Sequence, residues 1–250
     1  IPFLTSNVTS TLSLGVIGPG NKLGSIASMS TGSLACGQYH TADLPPTLTT
    51  NPYGFSQEPP PSVPFVWSEQ YLNEIPGSGL GHSSDTSNDF LIVGNPLPTT
   101  KTAHFYVSTS PPAMPFTWFF DLTDPCGGNL YGWDVAVGEA SGFVAVCDPK
   151  AFLAGVLWMY EITGPDLVQR INPPGTGLVG DRFCSSVDME NDTMAVGATG
   201  CDSGSTANVG CVTFYVLNGS RVWVQDGITF VGSPSSTPSE NEGFGASITM

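Results

Sequence analysis

The sequence predicts an all-β protein of the β-propeller class, built from four-stranded units that recur along the chain. Three observations predict it. The 250 residues include 30 Gly and 22 Pro but only 11% charged residues, and Gly and Pro mark turns and weaken helices. No segment shows helical periodicity over three turns. A hairpin pattern recurs with a period of about 50 residues, which is typical of propeller blades.

The recurring hairpin consists of a short strand, a polar turn and a second strand that closes at Gly. From the residue after the opening Leu or Phe to the closing residue, three copies span thirteen positions. The copy that opens at Tyr131 spans fifteen and closes at Cys147. The unit restarts at residues 24, 81, 132, 184 and 245, so the periods are 57, 51, 52 and 61. The hairpins occupy 23–37, 80–94, 131–147 and 182–197.

Each hairpin is followed by an aromatic-rich third strand and then by a fourth strand. A four-stranded sheet cannot bury both of its faces alone, so stacked units must cover one another. A β-sandwich with repeated hairpins is the alternative fold. The third strands are predicted at 62–67, 103–107, 155–160 and 210–216, and the fourth near 70–75, 116–122, 167–171 and 221–226. The predicted organisation is an N-terminal segment 1–20 and a propeller 21–250, with blades at about 21–77, 78–128, 129–178 and 179–240 and a partial blade 241–250.

Three motifs carry a resemblance to a known family: Gly180-Asp-Arg-Phe183, Asp192-Thr-Met-Ala-Val-Gly-Ala198 and Phe244-Gly245-Ala-Ser-Ile. They resemble FG-GAP repeats, the blades of integrin α-subunit heads and related extracellular proteins. The match is clear over about 180–250, and the repeat spacing extends it to about residue 20. The resemblance implies a ring of about seven blades. Four blades and the opening strand of a fifth do not close such a ring, so we expect a longer chain, or another segment or subunit that completes it.

Composition and cysteine usage predict an extracellular glycoprotein. The net charge of −15 argues against nucleic acid, and no apolar run is long enough for membrane insertion. The six Cys form no CxxC pair, and Ser/Thr/Pro-rich tracts of the kind that carry O-linked glycans lie at 41–64, 107–115 and 232–239. Three N-x-S/T sequons predict N-linked glycans at Asn7, Asn191 and Asn218.

Two disulfides are predicted from the cysteine positions. Cys201 and Cys211 bracket a loop between adjacent strands, which brings the ends of the loop close together. Cys126 and Cys147 flank one hairpin and form the second predicted pair. Cys36 and Cys184 remain by elimination, and they lie in units that are not neighbours.

The resemblance also raises calcium binding, since the family often binds Ca²⁺ in D-x-D-x-D-G loops between the first two strands of a blade. Carboxylates at alternating positions direct several oxygens at one ion. None of the corresponding turns has the full pattern, and Glu190 with Asp192 is the nearest approach, with the sequon Asn191 between them. The pair Asp121 and Asp124 is similarly ambiguous. We therefore predict ordinary polar turns and no metal or cofactor, with calcium as the alternative.

No catalytic site is predicted. The chain has three histidines and neither a G-x-S-x-G nor an H-E-x-x-H motif. His104 is expected to be packed in a strand, and His82 opens a first strand where a central channel could expose it. The glycines of 175–180 are interpreted as a turn between blades, because prolines precede them and a strand follows. His40 has no predicted role.

The tryptophans fall at recurrent strand positions, where packing between blades is the favoured interpretation and sugar stacking the alternative. The Pro-rich stretch 41–64 is predicted to be an extended loop, either solvated and glycosylated or in contact with a neighbouring subunit. The tryptophans are Trp67, Trp118, Trp133, Trp158 and Trp223.

These observations predict a non-enzymatic extracellular glycoprotein. Its propeller is expected to serve as a structural or assembly module of a cell-surface filament, appendage or matrix, such as a mastigoneme. The expected partners are other protein subunits, through self-assembly, or other extracellular glycoproteins and their glycans. One alternative is an integrin-like adhesion or ligand-binding head that depends on calcium. Another is an accessory region of a secreted hydrolase.

Overall fold

A computed structural model describes residues 21–30, 33–40, 53–58, 66–71, 80–87, 89–96, 101–110, 113–127, 130–175, 177–202, 208–232 and 243–250. These residues form sixteen strands in four antiparallel sheets, and each sheet contains four strands in chain order. Among them, no helix is long and apolar enough to span a bilayer. The prediction of an all-β fold made of four-stranded units is confirmed.

The strands of each sheet follow one another as hairpins. Sheet 1 contains β1 (Asn21–Ser30), β2 (Ser33–His40), β3 (Tyr53–Glu58) and β4 (Val66–Tyr71). Sheet 2 contains β5 (Ser84–Thr86), β6 (Phe90–Asn95), β7 (Thr102–Ser110) and β8 (Ala113–Thr123). Sheet 3 contains β9 (Val135–Gly138), β10 (Phe143–Asp148), β11 (Val156–Glu161) and β12 (Leu167–Ile171), with a 3-10 turn at Ala151–Leu153. Sheet 4 contains β13 (Phe183–Glu190), β14 (Thr193–Ala198), β15 (Cys211–Leu217) and β16 (Trp223–Val231).

Two predicted strands differ from the structure. In the first unit the third strand is β3, inside the stretch predicted as a Pro-rich loop, and 66–71 forms the fourth strand. Prolines cannot donate to a sheet ladder, so Pro52 and Pro59 bound this short strand at both ends. The predicted opening strand at 244–250 has turn and bend conformations, because it pairs with no second strand among the described residues.

The first strands of successive sheets lie next to one another. β1 contacts β5, β5 contacts β9, and β9 contacts β13. This order places the first strand of every sheet innermost, as in a propeller.

The strands β9, β10 and β11 of sheet 3 are buried on both faces, because their alternate side chains point to opposite neighbours. Val144 and Val146 pack toward sheet 2, whereas Phe143, Ala145 and Cys147 pack toward sheet 4. The core between sheets 2 and 3 includes Phe105, Phe120, Leu122, Tyr131, Trp158 and Tyr160. The core between sheets 3 and 4 includes Leu157, Met159, Phe183, Met194, Tyr215 and Trp223.

The innermost strands approach so closely that the contact positions exclude side chains. A Cβ atom on Gly94 would collide with the carbonyl oxygen of Gly132, and one on Gly197 with that of Gly245. Gly132 and Gly245 also have left-handed φ angles of 85° and 77°, which favour glycine. The closing residue of each of these hairpins therefore touches the opening residue of the next unit.

Between sheets 3 and 4 a disulfide replaces the glycine contact. Cys147 closes its hairpin where the other copies have Gly, and Cys184 opens the next unit with the left-handed φ of 67°. The two residues are bonded, with Cα atoms 5.2 Å apart. The predicted Cys126–Cys147 pair is wrong, because Cys147 points to sheet 4 while Cys126 lies beside Asp148, whose side chain points the other way. Because Cys184 is bonded to Cys147, the pairing of Cys36 with Cys184 that remained by elimination is also wrong. The predicted Cys201–Cys211 disulfide is confirmed.

Aspartate side chains form hydrogen bonds between neighbouring units. The Asp85 carboxylate accepts the Val137 N–H at 2.7 Å, and Asp134 accepts the Val187 N–H at 2.9 Å. Asp188 accepts the Met250 N–H at 2.6 Å in the same way. Each acceptor belongs to one unit and each donor to the next, so sheets 2, 3 and 4 are each joined to the following unit through an aspartate in or next to the innermost strand.

Burial is the main cause that raises the pKa of Asp134 to about 7; the charges of Asp85 and Asp188 contribute to the rise, and two backbone N–H donors oppose it. The folded protein therefore keeps this proton up to about pH 7, whereas the unfolded chain releases it near pH 3.9.

We expect the Cys147→Ser/Cys184→Ser double variant to lose about 2–4 kcal/mol of unfolding free energy. The bond closes a segment with a sequence separation of 37 residues and joins two sheets. Denaturant unfolding under non-reducing conditions measures the loss. The Cys201→Ser/Cys211→Ser variant, which opens a separation of only 10 residues, is the control and should lose less. A peptide map that joins Cys126 to Cys147 contradicts the assignment.

We expect the melting temperature to fall as the pH rises from about 4 to about 7, because the unfolded chain ionises first over this range. Asp134→Asn keeps an oxygen acceptor for Val187 but cannot ionise. The variant should show a shallower pH dependence and a higher melting temperature than the wild type at pH 8. Calorimetry across this range tests it, with the exposed Asp192→Asn as the control. An unchanged slope in Asp134→Asn would show that this carboxyl group is ionised in the folded state.

Candidate functional site

An exposed tryptophan lies on β8, the outermost strand of sheet 2. The indole of Trp118 is 61% exposed. In a regular strand, residues 118 and 121 would point to opposite faces of the sheet. A bulge between the pairs Phe105–Phe120 and Tyr106–Trp118 adds one residue, and this places Trp118 and Asp121 on the same face.

A hydrogen-bonded network holds this tryptophan in position. The Trp118 Nε1–H donates to Asp121 Oδ1 at 2.8 Å. His104 Nδ1 contacts the same oxygen at 2.7 Å from the opposite strand, where His104 and Asp121 are a cross-strand pair. His104 Nε2 lies 3.1 Å from the Thr102 hydroxyl. The orientation of the indole is therefore fixed by a chain of three polar side chains on β7 and β8, those of Asp121, His104 and Thr102.

The electrostatics of the network follow from its exposure. The Asp121 side chain is 41% exposed and that of His104 is 15% exposed. Beneath them, burial raises the pKa of Tyr106 to about 12, and the nearby charge of Asp121 adds to the increase. Among the described residues, both network bonds to Asp121 use Oδ1, which leaves Oδ2 for solvent or for a ligand hydroxyl.

The network permits two kinds of chemistry. A rigid indole beside a carboxylate oxygen presents a flat apolar surface next to a hydrogen-bond acceptor, which is suited to binding. The order Thr102, His104, Asp121 is also the connectivity of a nucleophilic triad, in which a carboxylate orients a histidine that accepts a hydroxyl proton.

The tryptophans, for which the sequence predicted one common role, differ in their burial. Trp158 and Trp223 are buried between sheets, which confirms the packing interpretation for these two residues. Trp133 packs against His82 with ring centroids 4.4 Å apart. Trp118 is exposed, so the packing prediction is wrong for it; the bulge places it on the face of Asp121 and not on that of Phe120.

The two histidines with described side chains have different environments. Burial lowers the pKa of His82 to about 4, so this ring is neutral at physiological pH. His104 is packed in a strand, as predicted, but both of its ring nitrogens are engaged in the network. Sequence analysis missed this network because His104 and Asp121 are neighbours only across the strands, and that pairing follows from the register of β7 and β8. His40 lies in β2.

The predicted glycosylation positions that the structure describes and the calcium candidates Glu190 and Asp192 lie in sheet 4, away from the Trp118 network. Asn191 and Asn218 are exposed in the turns that join β13 to β14 and β15 to β16, at the same end of sheet 4. The Leu217 N–H donates to the Asp192 carbonyl between these turns. Asn7 lies outside the described residues. Asp121 and Asp124 diverge: Asp121 joins the network, and Asp124 accepts the Cys126 N–H.

No protein-family model and no curated protein matches the sequence. Solved structures with a similar backbone are propellers. A mutant of the Aleuria aurantia lectin in complex with alpha-methyl-L-fucoside is 11% identical with a TM-score of 0.50, and the match covers 90% of this chain and 65% of the lectin. The β-propeller domain of the Trilobed protease from Pyrococcus furiosus is 9% identical with a TM-score of 0.40, over 88% of this chain and 58% of that chain.

The structural similarity to the lectin shows that this chain has a β-propeller fold made of four-stranded antiparallel sheets. This chain spans 65% of the lectin's length. Because one fold hosts many functions, the site itself must carry any functional argument.

Proposed function

We propose that the protein is a non-enzymatic extracellular propeller that binds neutral carbohydrate at Trp118 and Asp121. Such binding would let it act as an assembly module of a cell-surface filament, appendage or matrix by holding glycans of neighbouring glycoproteins. The observation that carries the proposal is the 61% exposure of Trp118, an indole whose orientation is fixed by the Asp121 carboxylate. FG-GAP membership and the extracellular location belong to the same proposal.

The chemistry of the network matches a sugar. One face of a pyranose ring is rich in C–H groups and packs on an aromatic plane, while its hydroxyls need hydrogen-bond acceptors. Trp118 offers the plane and Asp121 Oδ2 an acceptor oxygen. Because the indole N–H is already bonded, the ring does not have to reorient when a ligand arrives, which lowers the entropic cost of binding.

The charge of the protein favours neutral over acidic glycans. The net charge of −15 repels sialylated or sulfated ligands. The site itself contains a carboxylate, and among the described residues no Lys or Arg side chain takes part in its hydrogen bonds. The lectin of similar fold binds alpha-methyl-L-fucoside in its complex, which makes neutral deoxy sugars the first probes to test.

We expect Trp118→Ala to weaken binding of a neutral neoglycoprotein by about tenfold or more, which corresponds to about 1.4 kcal/mol. Asp121→Ala should weaken it as well, through the lost acceptor and the freed indole. The measurement is a titration of the secreted protein with α-L-fucosyl and β-D-galactosyl neoglycoproteins, followed by the indole N–H resonances. Phe152→Ala, at an aromatic side chain that is 60% exposed, is the matched control and should bind as the wild type does.

Equal binding by the Trp118→Ala and Phe152→Ala variants would contradict the carbohydrate proposal. Turnover of an ester or glycoside probe that disappears in Thr102→Ala would contradict the non-enzymatic part. In that case the triad connectivity, and not the indole surface, would define the function.

A second candidate is protein–protein assembly through sheet 4. Its outermost strand among the described residues, β16, exposes Val224, Ile228, Phe230 and Val231. Phe230 packs against Phe214 at 5.8 Å between ring centroids and continues the apolar strip inward. An exposed apolar edge strand is a template for pairing with another strand.

We expect the Val224→Lys/Phe230→Lys double variant to abolish filaments or oligomers that the wild-type protein forms, because charges block edge pairing. Electron microscopy of the protein isolated from its native source, followed by light scattering of the variants, measures this. Val168→Lys, on the comparably exposed β12, is the control. Separate monomers in the native material would rule out this second candidate.

A further inference from the structure

Three potential metal ligands meet where the ends of two strands from different sheets come together. Asp124 and Cys126 follow β8 of sheet 2, and Asp148 ends β10 of sheet 3. One oxygen of each carboxylate and the Cys126 Sγ all lie within 4.8 Å of one another. In a four-coordinate zinc site the ligand atoms lie about 2.0–2.3 Å from the ion, so this spacing needs only a small closure around one ion.

Each carboxylate has one oxygen that accepts backbone N–H groups and one oxygen that has no partner within the described part of the chain. Asp148 Oδ1 accepts the Leu130 N–H at 3.2 Å and the Lys150 N–H at 3.1 Å. Asp124 Oδ1 accepts the Cys126 N–H at 3.0 Å. Asp148 Oδ2 and Asp124 Oδ2 are both buried and have no hydrogen-bond partner among the residues that the structure describes. Backbone donors that orient a carboxylate while one oxygen remains open are the supporting contacts that metal ligands usually have.

No cationic side chain of the described residues forms an ion pair with Asp148. Asp148 is fully buried, with a relative exposure of 0%. The two ion pairs among the described residues join other groups, at His104–Asp121 and Arg221–Glu161. A buried carboxylate oxygen with neither donor nor cation is costly, and a bound metal ion would remove this cost.

The acid at position 148 is specific to the third unit. Asp148 directly follows the residue that closes its hairpin, and the equivalent residues of the neighbouring units are Asn95 and Ala198. The propeller fold therefore does not require an acid at this position. The hydroxyls of Tyr131 and Tyr160, hydrogen bonded at 2.8 Å, belong to the same unit and to the core that adjoins Asp148.

We propose that Asp124, Cys126 and Asp148 form a zinc-type site with two carboxylate oxygens, one thiolate and an open fourth position. A thiolate ligand favours zinc and similar ions, whereas calcium requires six or more oxygen ligands. Binding releases the thiol proton to solvent, since the thiolate is the ligand.

The test is metal binding by the full chain after treatment with a chelator. Zn²⁺ is titrated in competition with a chromophoric chelator, and Co²⁺ is added separately to look for a thiolate-to-cobalt charge-transfer band. We expect one tightly bound ion per chain, a rise in melting temperature on addition of Zn²⁺ and the charge-transfer band with Co²⁺.

Cys126→Ser and Asp148→Asn should each weaken Zn²⁺ binding by at least roughly tenfold, and Cys126→Ser should abolish the charge-transfer band. Asp166→Asn, at an exposed carboxylate outside the cluster, is the control and should bind as the wild type does. Melting curves without metal establish that the variants fold. Binding unchanged in Cys126→Ser, absence of stoichiometric binding in the wild type, or a peptide map with Cys126 in a disulfide would each overturn the proposal.

Discussion

The structure depends on the close approach of innermost strands from neighbouring sheets. At two of these contacts, Gly94 with Gly132 and Gly197 with Gly245, there is no room for a Cβ atom. The approach is what lets the large side chains further out, such as Phe105 and Trp158, meet across the same pair of sheets. Where Cys replaces glycine on both sides, a covalent bond takes over the contact.

The sequence was sufficient to predict the repeat because its markers are backbone requirements. Three of the four hairpins close at Gly, and the opening residues Gly81, Gly132 and Cys184 have positive φ whatever the side chains around them. Cys147 and Cys184 carried a further signal that was missed: both depart from Gly at facing positions of one contact. The first unit was harder, since Tyr53–Glu58 and 62–67 are both short, apolar and flanked by prolines, and only pairing with β2 distinguishes them.

The Trp118 network could not be predicted because it depends on register. A single bulged residue, Phe119, decides whether Trp118 lies on the face of Phe120 or on the face of Asp121, and nothing in the local sequence marks that bulge. His104 and Asp121 are 17 residues apart and meet only through the pairing of β7 with β8. Cross-strand sites of this kind follow from the whole sheet, whereas hairpin turns follow from a few adjacent residues.

The contacts between units show how an acidic chain with few cations accommodates its buried carboxyl groups. With 21 Asp and Glu against six Lys and Arg, most carboxylates cannot be ion-paired. Backbone N–H groups replace the missing cations: Asp85, Asp134 and Asp188 each accept one from the next unit. A neutral amide donor stabilises a buried carboxylate less than a cation does. Burial therefore leaves Asp134 with a high proton affinity, whereas the exposed Asp121 can orient Trp118 at the surface.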